Sequence, residues 1–228
     1  MTAEELASFI DHTLLRPDTT DGEVERFVAE ARDYPFASLC LPPVHLPRAA
    51  KLLKGTAMAI SSVVGFPHGY QSTSVKVFEG GEIIGAGGDE IDMVMNIGAF
   101  KSGSYRLVGD EIAAVVAACR GKIVKVIIET PLLTDVEKRT ACNLVAESGA
   151  HFVKTATGFS GGGATVADVA LLAECADGRI KVKASGGIRD CDTALAMIGA
   201  GAARIGTSVG VDIVEELRCS REGASSKR

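Results

Sequence analysis

The sequence predicts a single (β/α)8 TIM barrel with a short N-terminal helix, and three observations predict it. Short β-rich runs alternate eight times with amphipathic stretches. That rhythm builds a parallel sheet, because each strand must return to the same edge through a crossover helix. The chain has 228 residues, near the about 250 typical of such barrels. No linker or shift in composition divides it, so residues 1–228 read as one domain, with a flexible tail expected over about 219–228. A doubly wound open sheet is the competing arrangement, but it seldom uses eight units.

Each element has its own justification. Residues 2–9 read as a short helix ahead of the first strand, 10–15, which Arg16-Pro17-Asp18 closes. Thr19-Thr20-Asp21 supplies an N-cap, with Glu23 close behind, for a helix whose apolar positions are Val24, Phe27, Val28 and Ala31. A strand at 36–41 stops at Pro42-Pro43, and a helix follows over 45–53. Strand 57–64 ends in Gly65-Phe66-Pro67, and helix 74–85 is expected to use Val75, Phe78 and Ile83 as its apolar positions. Strand 90–96 precedes the apolar helix 108–119, and strand 123–129 precedes helix 134–148, where Thr134 and Glu137 form a capping box. The rest runs strand 151–156, helix 165–175, strand 180–184, helix 190–199, strand 203–207 and helix 211–218.

Composition narrows the function classes. With 46% hydrophobic and 23% charged residues, the chain is an ordinary globular protein and not a disordered one. Net charge is −5, and the one basic cluster is the terminal Lys227-Arg228, so neither nucleic acid nor an anionic membrane is an expected partner. The acidic N-terminus does not read as a signal peptide, and the apolar run Ile112–Cys119 is too short to span a bilayer. Six cysteines without a C-x-x-C pair suggest reduced thiols in a cytoplasmic protein, with no structural zinc.

Active sites of such barrels lie at the C-terminal ends of the strands. Lys154 and Lys183 both stand there, each followed closely by glycines. A buried ammonium near a second cation loses proton affinity, which turns a lysine into a nucleophile for carbonyl carbon. A solvated barrel rim is the bland alternative for either lysine alone, and Lys181, at the start of its strand, illustrates it. In Glu90-Ile91-Asp92-Met93-Val94-Met95-Asn96, alternation turns the methionines towards the helices and Asp92 into the barrel. Asp92 is then either a working carboxylate or one simply held by a buried cation. Lys125 could be that cation, or act directly, and it shares an inward face with Glu129, which is expected to join the same interior. Glycines at Gly158, Gly186-Gly187 and Gly206, with Ser208, follow neighbouring strands and suit a phosphorylated ligand.

These residues carry a family resemblance. The stretches Asp11-His12-Thr13-Leu14-Leu15, Val64-Gly65-Phe66-Pro67, Asp89–Val94, Lys125–Thr130, Phe152–Thr155, Gly158-Phe159-Ser160, Lys183–Arg189 and Arg204–Ser208 resemble, in order, those of the 2-deoxyribose-5-phosphate aldolases. The resemblance implies reversible cleavage of 2-deoxy-D-ribose 5-phosphate to D-glyceraldehyde 3-phosphate and acetaldehyde, with no metal and no cofactor. It assigns the Schiff base to Lys154 and a supporting proton-transfer role to Lys183. Asp92 matches the acid/base carboxylate, acting through a water. Gly158, Gly186, Gly187, Gly206 and Ser208 match phosphate-binding positions, and a homodimer or higher homo-oligomer is implied. Ala156 and Leu41-Pro42-Pro43 depart from the family pattern, and residues 217–228 lack the tyrosine that some members use in proton transfer. Another phosphate-binding barrel enzyme, such as an isomerase, and a barrel kept only for ligand binding are the alternatives.

Overall fold

The computed structural model describes residues 1–225, with side chains described as far as residue 221. Eight parallel strands close into a barrel in chain order. They are β1 (Ile10–Thr13), β2 (Ser38–Cys40), β3 (Ala59–Val64), β4 (Glu90–Val94), β5 (Ile123–Ile127), β6 (Phe152–Lys154), β7 (Lys181–Ser185) and β8 (Ala202–Thr207). Closure pairs Asp11 of β1 with Gly206 of β8, so the sheet has no edge.

The helices wrap this barrel. They are α1 (Ala3–Ala7), α2 (Asp21–Ala31), α3 (Leu46–Leu52), α4 (Thr73–Gly85), α5 (Ile97–Lys101), α6 (Tyr105–Ala118), α7 (Asp135–Glu147), α8 (Val166–Ala176), α9 (Cys191–Gly199) and α10 (Gly210–Ser225). Thr20 and Thr134 cap α2 and α7 in complete capping boxes with Glu23 and Glu137. Each box satisfies backbone N–H groups that a helix start would leave bare. The apolar core lies between sheet and helices: Ile91, Met93, Val124, Val126 and Val153 face Ile112, Val115, Val145 and Val169, all fully buried. Each such side chain contributes about 1.5–3 kcal/mol.

Alternation leaves the opposite strand faces for the barrel interior, and these carry charge. The structure therefore has two kinds of core, an oily outer layer and an ionic centre.

Several boundaries differ from those the sequence predicts. β4 stops at Val94, and Asn96 becomes the N-cap of α5, accepting from the Ala99 N–H at 3.0 Å. Helix α5 and the 3-10 turns at Pro43–His45 and Thr130–Leu132 were not expected. β5 ends at Ile127, because Glu129 takes a left-handed backbone (φ 55, ψ 65) that turns the chain off the barrel. On α4 the buried positions are Lys76, Gly80 and Ile83, while Val75 and Phe78 are exposed. The last helix continues to Ser225, and residues 226–228 of the expected tail lie outside the described residues. No helix among the described residues is long and apolar enough to cross a membrane.

Candidate active site

Three carboxylates and four cations meet inside the barrel, and Asp92 is their hub. One of its oxygens, Oδ2, accepts from Lys154 Nζ at 2.7 Å and from Lys183 Nζ at 2.6 Å. The other, Oδ1, accepts from Lys125 Nζ at 2.8 Å. Behind this trio stand Asp11, Glu90 and Arg204. Lys183 donates to Asp11 Oδ2 at 2.5 Å, Arg204 to Asp11 Oδ1 at 2.5 Å, and Lys125 pairs with Glu90 at 2.6 Å. Ser38 on β2 adds a hydroxyl to Asp11 at 2.6 Å. Strand alternation delivers every one of these groups to the interior.

The environment splits the lysines. Burial, together with the Lys183 ammonium, holds Lys154 below the ordinary lysine value despite the pull of Asp92. Burial opposes the charge on Lys183 as well, but Asp11 and Asp92 outweigh it and hold that group above the ordinary value. Lys125 is raised in the same way by Asp92, Asp11 and Glu90 acting against burial. Burial would raise Asp92 and Asp11, yet the surrounding cations hold both well below the usual carboxylate range. The arrangement therefore places the amine with the weakened proton affinity, Lys154, beside Asp92, whose ionised form the cations favour.

A cavity of about 570 Å³ opens above the cluster at the C-terminal end of the barrel. Lys154 is on its wall, whereas Asp92, Lys125 and Lys183 lie beneath and are fully buried. The rest of the wall comes from α2 and from the segments after β1, β6, β7 and β8. All five predicted phosphate positions, Gly158, Gly186, Gly187, Gly206 and Ser208, line this cavity. Gly206 also makes room for the cluster: a Cβ there would lie 2.9 Å from Ser185 Cβ and 3.1 Å from Lys183 Cε. Arg189 adds a cation to the same wall.

One expectation changes, and one of the two readings left open for Lys125 is selected. Glu129 does not join the Asp92 interior, because its left-handed backbone sends the carboxylate to the loop after β6, where Thr157 Oγ1 donates to it at 2.6 Å. Lys125 is the buried cation that holds Asp92 and does not reach the cavity. Reading the residues one by one also missed Asp11, Glu90 and Arg204 as partners. Arg204, an arginine amid small residues in a strand, was the available signal. His12 faces outward between the rings of Phe27 and Phe36, where burial pushes its pKa down to about 4. Among the described residues no group of three or more His, Cys, Asp or Glu side chains is placed to hold a metal ion.

The ionic cluster and the glycine-lined cavity thus meet at one barrel mouth, with Lys154 at their junction. The profile of the DeoC/LacD family aldolases matches residues 6–216. The chain belongs to that family. A deoxyribose-phosphate aldolase of Staphylococcus epidermidis is 50% identical to this DeoC/LacD enzyme over 216 residues, 95% of this chain and 98% of that protein. One of Streptococcus suis is 53% identical over 209 residues, 92% of this chain and 95% of the other. Among solved structures, the aldolase QR15 superposes with a TM-score of 0.92 at 40% identity, covering 96% of this chain and 98% of its own. The tetrameric deoxyribose phosphate aldolase of Aeropyrum pernix gives 0.89 at 36% identity, covering 95% and 92%.

Proposed function

We propose that this DeoC/LacD aldolase cleaves 2-deoxy-D-ribose 5-phosphate reversibly to D-glyceraldehyde 3-phosphate and acetaldehyde through a Schiff base on Lys154. One observation carries the reading: Lys154 brings a depressed amine to the cavity wall while its ionic partners stay beneath it. The names of the relatives at about half identity point to the same substrate.

The chemistry follows from the geometry. The neutral Lys154 amine adds to the C1 aldehyde of the open-chain sugar, and loss of water gives an iminium. That cation withdraws the electron pair of the C2–C3 bond as it breaks, so the two-carbon C1–C2 fragment stays bound as an enamine instead of a bare carbanion. C3 leaves as the aldehyde of glyceraldehyde 3-phosphate after losing its hydroxyl proton. Asp92, which touches both Lys154 and Lys183, carries the proton transfers through a water, and Lys183 keeps the local charge that disfavours protonated Lys154. Protonation at C2 and hydrolysis then release acetaldehyde and restore the amine. The phosphate is received by Gly158, Gly186, Gly187, Gly206 and Ser208, with Arg189 on the same wall.

Borohydride reduction with acetaldehyde, followed by peptide mass mapping, tests the mechanism. The expected product is one two-carbon adduct on the peptide holding Lys154, absent from Lys154→Ala. A folded preparation that turns over substrate yet gives no adduct would overturn it. We also place the enzyme in solution as a homodimer or larger homo-oligomer, a reading that the exposed Val75 and Phe78 of α4 support. Light scattering should give at least twice the 23.6 kDa chain mass, and a monomer at micromolar concentration would refute it. The six free thiols suit a reducing compartment such as the cytoplasm, which cell fractionation would check.

A further inference from the structure

Glu129 combines two features that a merely structural residue has little reason to keep. Its backbone is left-handed at φ 55, a conformation unfavourable for any residue bearing a Cβ. Its carboxylate is fully buried, and among the described residues no cation lies within ion-pair distance of it. A buried charge without a counter-ion persists only where hydrogen bonds hold it.

Those hydrogen bonds all come from one loop. Thr157 gives its N–H to both carboxylate oxygens at 3.2 Å and its hydroxyl to one of them at 2.6 Å. The Ser160 hydroxyl adds a weaker contact at 3.4 Å. Thr157 passes the constraint on, because its Oγ1 accepts the N–H of Phe159 at 3.1 Å. The turn after Glu129 presses on the same loop: a Cβ at Gly162 would sit 2.6 Å from Pro131. On the far side a Cβ at Gly163 would stand 2.2 Å from the Gly186 carbonyl. The loop is thus clamped between the ends of β5 and β7, and its Thr157, Gly158 and Phe159 form the cavity wall nearest to Lys154 in the chain.

We propose that Glu129 is a positioning residue that fixes the 157–160 loop in the shape that receives the phosphate-bearing end of the substrate, without acting on the Lys154 amine. The assignment rests on the functional reading above for the identity of that substrate. The left-handed turn is what aims the carboxylate out of the barrel, so strain at residue 129 is coupled to order in the loop.

Variants at both ends of the contact test it. Glu129→Ala removes the carboxylate, and Glu129→Gly removes it while relieving the backbone. Glu129→Gln keeps an acceptor for the Thr157 N–H, and the hydroxyl can turn to accept from the amide. In Glu129→Ala and Glu129→Gly, KM for 2-deoxyribose 5-phosphate should rise by about tenfold or more, while borohydride trapping of acetaldehyde on Lys154 stays within about twofold. Amide hydrogen exchange at residues 157–160 should quicken in both variants, and Glu129→Gln should stay within about threefold of the parent in KM. Parent-like KM and exchange in the Ala and Gly variants would overturn the proposal. So would trapping that collapses together with kcat, since Glu129 would then act on Lys154 itself. If neither variant folds, Thr157→Val decides through the same KM and exchange readings. If the parent traps acetaldehyde but does not turn over the sugar phosphate, the substrate reading fails, and hydrogen exchange alone still judges the anchor.

Discussion

Lys154 and Lys183 make nearly the same contact with the same oxygen of Asp92, at 2.7 and 2.6 Å, and what stands behind each decides its protonation. Lys183 has a second carboxylate, Asp11, at 2.5 Å, whereas Lys154 has the cavity. Proton affinity is raised at Lys183 and lowered at Lys154. The sign of the pH effect follows. The Lys183 charge disfavours the charged form of Lys154, so replacing it by Met raises the Lys154 pKa and leaves more of that residue as ammonium at any given pH. In Lys183→Met the acid limb of the pH–rate profile should move to higher pH, with kcat lower by about a hundredfold at neutrality. An acid limb that does not move would remove Lys183 from the tuning of Lys154. At this scale the site was partly legible. Lys154, Lys183 and Asp92 announced themselves by strand-end position and alternation. Glu129 misled, because its reading assumed that the strand continued, and a single left-handed residue reverses the direction of a side chain without any compositional sign.

Helix α4 shows the limit of periodicity at the scale of elements. Apolar spacing selects Val75 and Phe78 for its inner face, yet they are exposed and a lysine is buried instead. Lys76 can be buried because each of its three N–H bonds finds an acceptor: the Gly69 carbonyl at 2.7 Å, the Val94 carbonyl at 2.9 Å and Glu111 at 2.6 Å. Gly65 leaves space for this side chain, since a Cβ there would lie 2.8 Å from Lys76 Cε. The knot ties the segment after β3 to the end of β4, two residues beyond Asp92. In the same segment the Phe66 ring meets Phe159 of the cavity wall edge-on at 5.2 Å. None of this is local information. The acceptors belong to three separate elements, so no window of sequence around residue 76 could reveal that its charge is satisfied.

Over the whole molecule, the barrel was legible because alternation of short strands and helices is itself a repeated local signal. The ionic centre was much less so, since its partners are distant in the chain: Lys183 and Asp11 are 172 residues apart, and Arg204 and Glu90 are 114 apart. One regularity emerges only when the centre is sorted by strand. β1–β4 contribute Asp11, Glu90 and Asp92, and β5–β8 contribute Lys125, Lys154, Lys183 and Arg204. The molecule is therefore an acidic half-barrel facing a basic one, joined near Arg120-Gly121, both of which have positive φ. Neither half can close upon itself without crowding like charges into a dry space. Fragments 1–120 and 121–228 should each remain unfolded alone and should complement each other on mixing, regaining borohydride-reactive Lys154. Circular dichroism showing that either fragment folds in isolation would refute this mutual dependence. Synthesis from the N-terminus then makes the acidic half first, and it must wait for its counter-charge before any interior exists.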